Sequence, residues 1–247
     1  MAKAFLVFGF LIAFLALGRI FPFAKVSGFR RIAKNLLLAV PNAILSPLVV
    51  VPVSALAALW ALPWRPAWWS GGGGLALDLL LLDGWIYWWH RANHVVPVLW
   101  RFHEVHHLDE ALDASSALRF HFGEVLLSCL ARAAVIFVLA VPLSSVVVFE
   151  VVVALATIFH HSNYRVPPAL ESILSLVIVT PSIHWVHHHA QRSDTDSNYA
   201  TFLSAWDHLF GSRSKTVRTP EMQVGVEGRH DGDLVELIAR PFPRIGK

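Results

Sequence analysis

Cysteine is almost missing from this chain. The one residue among 247, Cys129, lies in an apolar run. It excludes an intrachain disulfide, a CxxC redox motif and a cysteine-ligated iron–sulfur cluster. Charge is scarce too, at 15% of residues against about 25% in soluble domains. The net charge is only +3, and the basic residues sit in short clusters at the ends of apolar runs. They are topology signals and exclude a nucleic-acid surface. No internal repeat of fixed period is present. Histidine is absent before residue 90, yet twelve of the 14 lie between 90 and 189.

What is abundant is apolar. The hydrophobic fraction is 55% and the mean hydropathy +0.55. Ten Trp and 16 Phe suit membrane-interface belts. Residues 4–18 read as a retained first membrane helix in preference to a cleaved signal peptide. Arg19, Lys25, Arg30, Arg31 and Lys34 follow in one connection, which the positive-inside rule places in the cytoplasm. Residues 35–62 form a second span, long enough to cross and kinked by its prolines, with an irregular portion. Trp64, Trp68 and Trp69 read as interface anchors, and glycines 71–74 as a flexible turn. Residues 75–89 return to the cytoplasm and deliver His90 there. Runs 125–141 and 146–159 make a tight hairpin that brings His160 and His161 back to the same side. Residues 165–183 are amphipathic and flanked by prolines, as in an interfacial segment. The expectation is an all-α integral membrane bundle of about four to five membrane helices with a cytoplasmic, histidine-rich helical cap. Residues 1–74 hold the N-terminal membrane helices, 75–213 a catalytic domain, and 214–247 a polar cytoplasmic tail.

The histidines fall in groups. His90 and His94 form an HxxxH pair; His103, His106 and His107 an HxxHH triplet; His184, His187 and His188 a second HxxHH; His160 and His161 a pair between them. Residues three and four apart share a helix face, so each group aims its imidazoles at one point. Nine or ten imidazoles exceed one ion's needs and fit two. Imidazole suits iron, zinc, copper and nickel, and the lack of sulfur ligands argues against structural zinc. Asp83 lies seven residues before His90 on about the same face. It either orients a ligand histidine through the second ring nitrogen or makes a polar contact within the bundle. His121 stands alone in RFHFGE as a ligand or a supporting residue. His189 points off the shared face, and His208 and His230 read as ordinary polar residues.

A rival pattern overlaps the first triplet. His103–Glu104–Val105–His106–His107 satisfies HExxH, in which Glu104 would be the general base of a membrane zinc peptidase. That reading leaves His90, His94, His184, His187 and His188 without work. A non-enzymatic alternative, haem or metal binding, would put histidines within or across spans and not at one face.

The residues DGWIYWWHRANH (83–94), WRFHEVHH (100–107), RFHFGE (119–124), FHHSN (159–163), PSIHWVHHH (181–189), DSNYA (196–200) and WDHLFGS (206–212) together resemble the fatty acid hydroxylase/sterol desaturase superfamily of integral membrane di-iron oxygenases. The resemblance implies that His90, His94, His103, His106, His107, His161, His184, His187 and His188 bind metal. His161 is preferred over His160 because it directly precedes Ser162–Asn163. Asp83, Asp196 and Asn198 look like supporting residues. Family members often carry Gly at Ala200, Thr at Ser212 and Pro at Phe122, which bears on loop shape and substrate. By the resemblance, the cofactors are two iron ions, with zinc as a substitute in purified protein. The partners are O2, a lipid (fatty acyl, sterol or related isoprenoid) and an external donor, ferredoxin- or cytochrome b5-like with its reductase. The implied reaction is hydroxylation or desaturation of an unactivated C–H position, with ether cleavage open.

Overall fold

The computed structural model describes residues 2–242; Met1 and residues 243–247, with the basic Arg244 and Lys247 of the tail, lie outside the described residues. Helix α1 (Ala2–Ile20) is apolar along its length. Helix α2 (Phe29–Leu45) passes through a π-helical turn at Ser46–Val50 into α3 (Val51–Leu59). Pro41, Pro47 and Pro52 lie along this stretch. Each removes an N–H and crowds the carbonyl four residues back, and a wide π turn absorbs such a defect. The irregular portion expected in the second span is therefore observed, as the π-helical turn.

Helix α4 (Gly71–Val95) is followed at once by α5 (Pro97–His107). The break is local chemistry. Val96 precedes a proline and is extended, at φ −94° and ψ 114°, and Pro97 opens the next helix where no N–H is needed. A 3₁₀ turn at Ala114–Leu118, capped by Asp113, leads to α6 (Phe122–Leu139) and α7 (Leu143–His161). These two are joined by a short turn at Ala140 with φ +52° and by the Arg132–Glu150 pair, but they are not the tight hairpin expected: α6 packs chiefly on α3, and α7 on α1 and α4. Short helices α8 (Pro168–Leu174), α9 (Pro181–His187), α10 (Arg192–Thr195), α11 (Ala205–Leu209) and α12 (Leu234–Ala239) complete the chain. Among the described residues no β-strand forms, only three isolated bridges.

Four stretches are long and apolar enough to cross a membrane: Lys3–Ile20, Phe29–Leu59, Phe122–Leu139 and Leu143–His161. Helix α4, expected as a crossing over 75–89, is not among them, because its apolar run is interrupted by Asp78 and Asp83. It is nonetheless 25 residues long, about 37 Å, and runs beside α7. Asp78 accepts from Ser145 near the start of α7. Leu82 packs with Ile136 of α6, Val141 of the turn, and Val146 and Phe149 of α7.

The bundle has two distinct ends. At one, Arg65 forks onto Asp78 with both contacts at 2.9 Å and donates to the carbonyls of Trp69 and Ala140. Glycines 71–74 do not form a loose turn there; they are the first turn of α4. A Cβ on Gly74 would meet the Trp69 carbonyl carbon at 2.8 Å. Trp69 is accordingly buried, whereas Trp64 and Trp68 are exposed. At the other end lie the histidines and the basic first connection. Arg31 pairs with Asp109 and Asp113, and Lys34 with Asp231. The segment after 214 is a folded part of this cap. Leu237 packs on Leu38, Val105 and Leu108, Val224 bridges His189, and Asp231 also pairs with the fully buried Arg119.

Candidate metal centre

Four helices converge at the cap. The end of α4 carries His90 and His94, α5 carries His103, His106 and His107, α7 ends on His161, and α9 carries His184 and His187 and is followed by His188. Neither HxxHH triplet aims at one point as its spacing predicts: His106 turns away from His103 and His107, and His187 from His184 and His188, towards a second point. His90, His94, His103, His107 and His187 form one group; His106, His161, His184 and His188 form the other. Within each, one ring nitrogen per residue lies within 4.8 Å of all the rest. The groups adjoin: His107 stacks on His188 with centroids 4.3 Å apart.

The nitrogen that faces inward is mostly Nε2. His103 Nε2 lies 3.1 Å from His90 Nε2 and 3.2 Å from His107 Nε2. In the second group His161 Nε2 lies 3.1 Å from His106 Nε2 and 3.0 Å from His184 Nε2. His188 Nε2 lies 3.1 Å from His184 Nε2. The outward Nδ1 atoms meet oxygen. His90 reaches the carbonyl of Tyr199, His187 that of Ser197 and His161 that of Thr157, each at 2.7 Å. His106 reaches the Arg119 carbonyl at 3.1 Å, and His103 the Glu124 carboxylate at 2.8 Å. A carbonyl can only accept, so Nδ1 carries the proton and Nε2 is left with its lone pair facing the group.

Burial fixes the charge state to match. It pushes His90, His94, His106, His107, His184 and His188 well below the usual imidazole value, and His187 down to about 3. Neutral imidazole is the form that binds metal. The Nε2 atoms of His94 and His187 are buried without a hydrogen-bond partner among the described residues, a costly state that an ion would relieve. The donor set, all nitrogen and divided five and four, fits two transition-metal ions.

Other candidates fall elsewhere. Asp83 does not orient His90; its Oδ2 accepts from Trp206 Nε1 at 2.8 Å and from the Leu203 amide at 3.0 Å. Gly84 permits this approach, since a Cβ there would meet the Trp206 ring at 3.2 Å. Asp83 therefore fixes the loop that leads out of the Tyr199 region. His121 is a helix cap: Nδ1 accepts from the Gly123 amide and Nε2 meets the Ile238 carbonyl. His160 belongs to neither group, although its ring lies 3.9 Å from that of His184. Asp196 Oδ1 lies 3.4 Å from His94 Nδ1. Asn198, at φ +51°, bonds the Ile183 carbonyl and the Ser214 amide; it ties the carbonyl loop to α9. His189 pairs with Asp194, and His208 and His230 are exposed. Glu104 points away from both groups and pairs with Arg229 and Arg240, so it is not placed as a base.

Glu124 has no role assigned from the sequence, and the fold places it on His103. Its signal was there: an acidic residue in the first turn of a strongly apolar helix is expensive and usually functional. The carbonyls of Arg119, Thr157, Ser197 and Tyr199 had no such signal, because every residue has one.

Residues 75–212 match the model of the fatty acid hydroxylase family, a stretch that holds all nine clustered histidines. Among curated relatives, an ornithine lipid hydroxylase of Rhizobium tropici is 28% identical over 203 residues, 81% of this chain and 60% of the relative. An alkylglycerol monooxygenase of Homo sapiens is 32% identical over 156 residues, 62% of this chain and 32% of the relative. A cholesterol 25-hydroxylase of Mus musculus is 28% identical over 135 residues, 54% and 44%. The chain thus spans between about a third and 60% of the length of these relatives. No solved structure matches it. The family's matched region covers more than half of the chain and contains the complete paired histidine cluster; the chain belongs to the fatty acid hydroxylase family.

Proposed function

We propose that this protein is a multi-pass membrane oxygenase that hydroxylates or desaturates an unactivated C–H position of a lipid. In this reading His90, His94, His103, His107 and His187 hold one iron, and His106, His161, His184 and His188 the second. The observation that carries it is the division of nine buried imidazoles into two adjoining groups at one end of an apolar bundle. Bound iron would supply the redox chemistry that turns O2 on a C–H bond.

The chain's own share is positioning and exclusion of water. Its carbonyls and Glu124 hold the rings; its buried neutral imidazoles keep proton chemistry out of the ligand set. With no redox cysteine pair in the chain, electrons come from a partner, a ferredoxin- or cytochrome b5-like protein with its reductase. The names of the relatives, which include lipid hydroxylases and a monooxygenase, support a lipid substrate. The cytoplasmic placement of the site is supported by the basic connection of Arg19, Lys25, Arg30, Arg31 and Lys34 at the histidine end.

Purified protein should contain close to two irons per chain and consume O2 when given a reductant and lipid. One zinc and no iron after loading with either metal would overturn the reading. Lipidomics of cells with and without the protein identifies the product.

A further inference from the structure

Arg218 lies beyond the family-matched residues, yet it is drawn into the cap. Its guanidinium sits in the notch of a T-shaped aromatic pair, 3.7 and 3.8 Å from the centroids of Phe23 and Trp185, whose planes stand at 79° to each other. The residue is 9% exposed, and its Nε and Nη2 are buried with no hydrogen-bond partner among the described residues. The two rings cover the guanidinium without offering an oxygen acceptor to its donors, which lie in its plane and form a fork. Buried donors without partners are rare and call for an explanation. Glu171, whose field Arg218 feels, makes no ion pair with it and accepts from Ser182 Oγ instead. Burial pulls the guanidinium down only to about 9, so it remains a cation at neutral pH.

Two more donors at this place are orphaned. Trp185 Nε1 and Ser162 Oγ are buried without partners among the described residues. Trp185 directly follows His184, and Ser162 directly follows His161, so both adjoin the four-histidine group. Asn163, next to Ser162, holds the Phe23 amide through its carbonyl. What is missing here is an acceptor that carries negative charge. Ile20 and Phe21 at the end of α1, and Ile173 and Leu176 at the end of α8, are exposed apolar side chains.

We propose that Arg218, with Trp185, clamps the oxyanion of a lipid head group, a carboxylate or phosphate, while the lipid's chain reaches the histidine site. Oxyanion-headed lipids are then the substrate class. The planar fork suits bidentate capture of such a group. This deepens, and rests on, the oxygenase reading given above.

The test is binding to the full chain as purified, which needs no turnover. The probes are dioleoylphosphatidylglycerol and dioleoylglycerol, which share their chains and differ in the phosphate-bearing head group, and inorganic phosphate alone. Wild type should prefer the phospholipid by about tenfold or more. Arg218→Gln should bring the two lipids to near parity without weakening dioleoylglycerol binding, and inorganic phosphate should bind far more weakly than the phospholipid. No preference in wild type, or a preference that survives in Arg218→Gln, overturns the proposal; phosphate bound as tightly as the phospholipid assigns the site to a soluble anion and overturns it too. If the Gln variant loses its fold, judged by thermal unfolding, Arg218→Lys carries the test. It keeps the charge without the fork and should lose part of the preference; full retention overturns the clamp. Iron content and O2 uptake, measured separately, report on the oxygenase reading.

Discussion

The carboxylate of Glu124 receives Nδ1 of His103 at 2.8 Å, and His103 in turn stands between His90 and His107 with its Nε2 near both of theirs. Among the described residues, Glu124 is thus the acidic side chain that hydrogen-bonds a ring of the five-histidine group; Asp196 stands off at 3.4 Å from His94. Replacing it with glutamine keeps the shape and removes the charge. Metal affinity should fall by about 10–100-fold, read by chelator competition. Unchanged affinity would mean that packing alone orients His103.

Glu104 faces the other way, towards Arg229 and Arg240. Glu104→Gln should leave the metal content intact and turnover within a few-fold of wild type. It should also lower stability by about 2 kcal/mol, a buried carboxylate losing two partly exposed partners. Loss of all activity in folded, metal-loaded variant protein would revive the peptidase reading of HExxH.

His121 offers a control within the same polar stretch. Its Nδ1 accepts the Gly123 amide at the start of α6, as a capping oxygen does elsewhere. His121→Ala should cost about 1 kcal/mol in thermal unfolding while both metals stay bound. His107→Ala should remove metal instead, because His107 belongs to the five-histidine group and stacks on His188 of the other.

Acid should unfold the metal-stripped protein early. Burial holds His187 down to about 3, while an unfolded histidine titrates near 6.5. Below about 6.5 the unfolded chain takes up protons that the folded one refuses, so stability falls as pH drops. Its full value is present above about 6.5 and is lost progressively towards 3. His94, His107 and His184 shift in the same direction and steepen the loss. Thermal midpoints in detergent from pH 8 to pH 4 check this; a flat profile would contradict neutral, buried rings.

The histidine groups could be read from the chain because their spacing repeats the helical period, and the period is a property of sequence. The second span's irregular turn was legible for the same reason: Pro41, Pro47 and Pro52 state locally what the helix must do. The roles of Asp83 and His121 were not legible. Asp83 interrupts an apolar run and His121 stands in a polar stretch, and only the fold reveals that Trp206 and the Gly123 amide reach them. Trp69 misled in a related way. Its tryptophan cluster matches an interface belt, but the close approach of Gly74 draws that one ring inside. The division of nine histidines into five and four also escaped the sequence, since it depends on how α5 faces α9 across the cap.

The closing of the cap by residues after 214, through Asp231 on Lys34 and Arg119 and through Arg229 and Arg240 on Glu104, has a consequence for biosynthesis. A ribosome makes α1 to α7 before it reaches His184, so the chain can be threaded into a bilayer while the ligand set is still incomplete. His184, His187 and His188 come next, and the clasp that shuts over them is made last. The nine-histidine set is therefore complete only after residue 188 has emerged. A chain released at residue 214 would carry all nine clustered histidines and no closure.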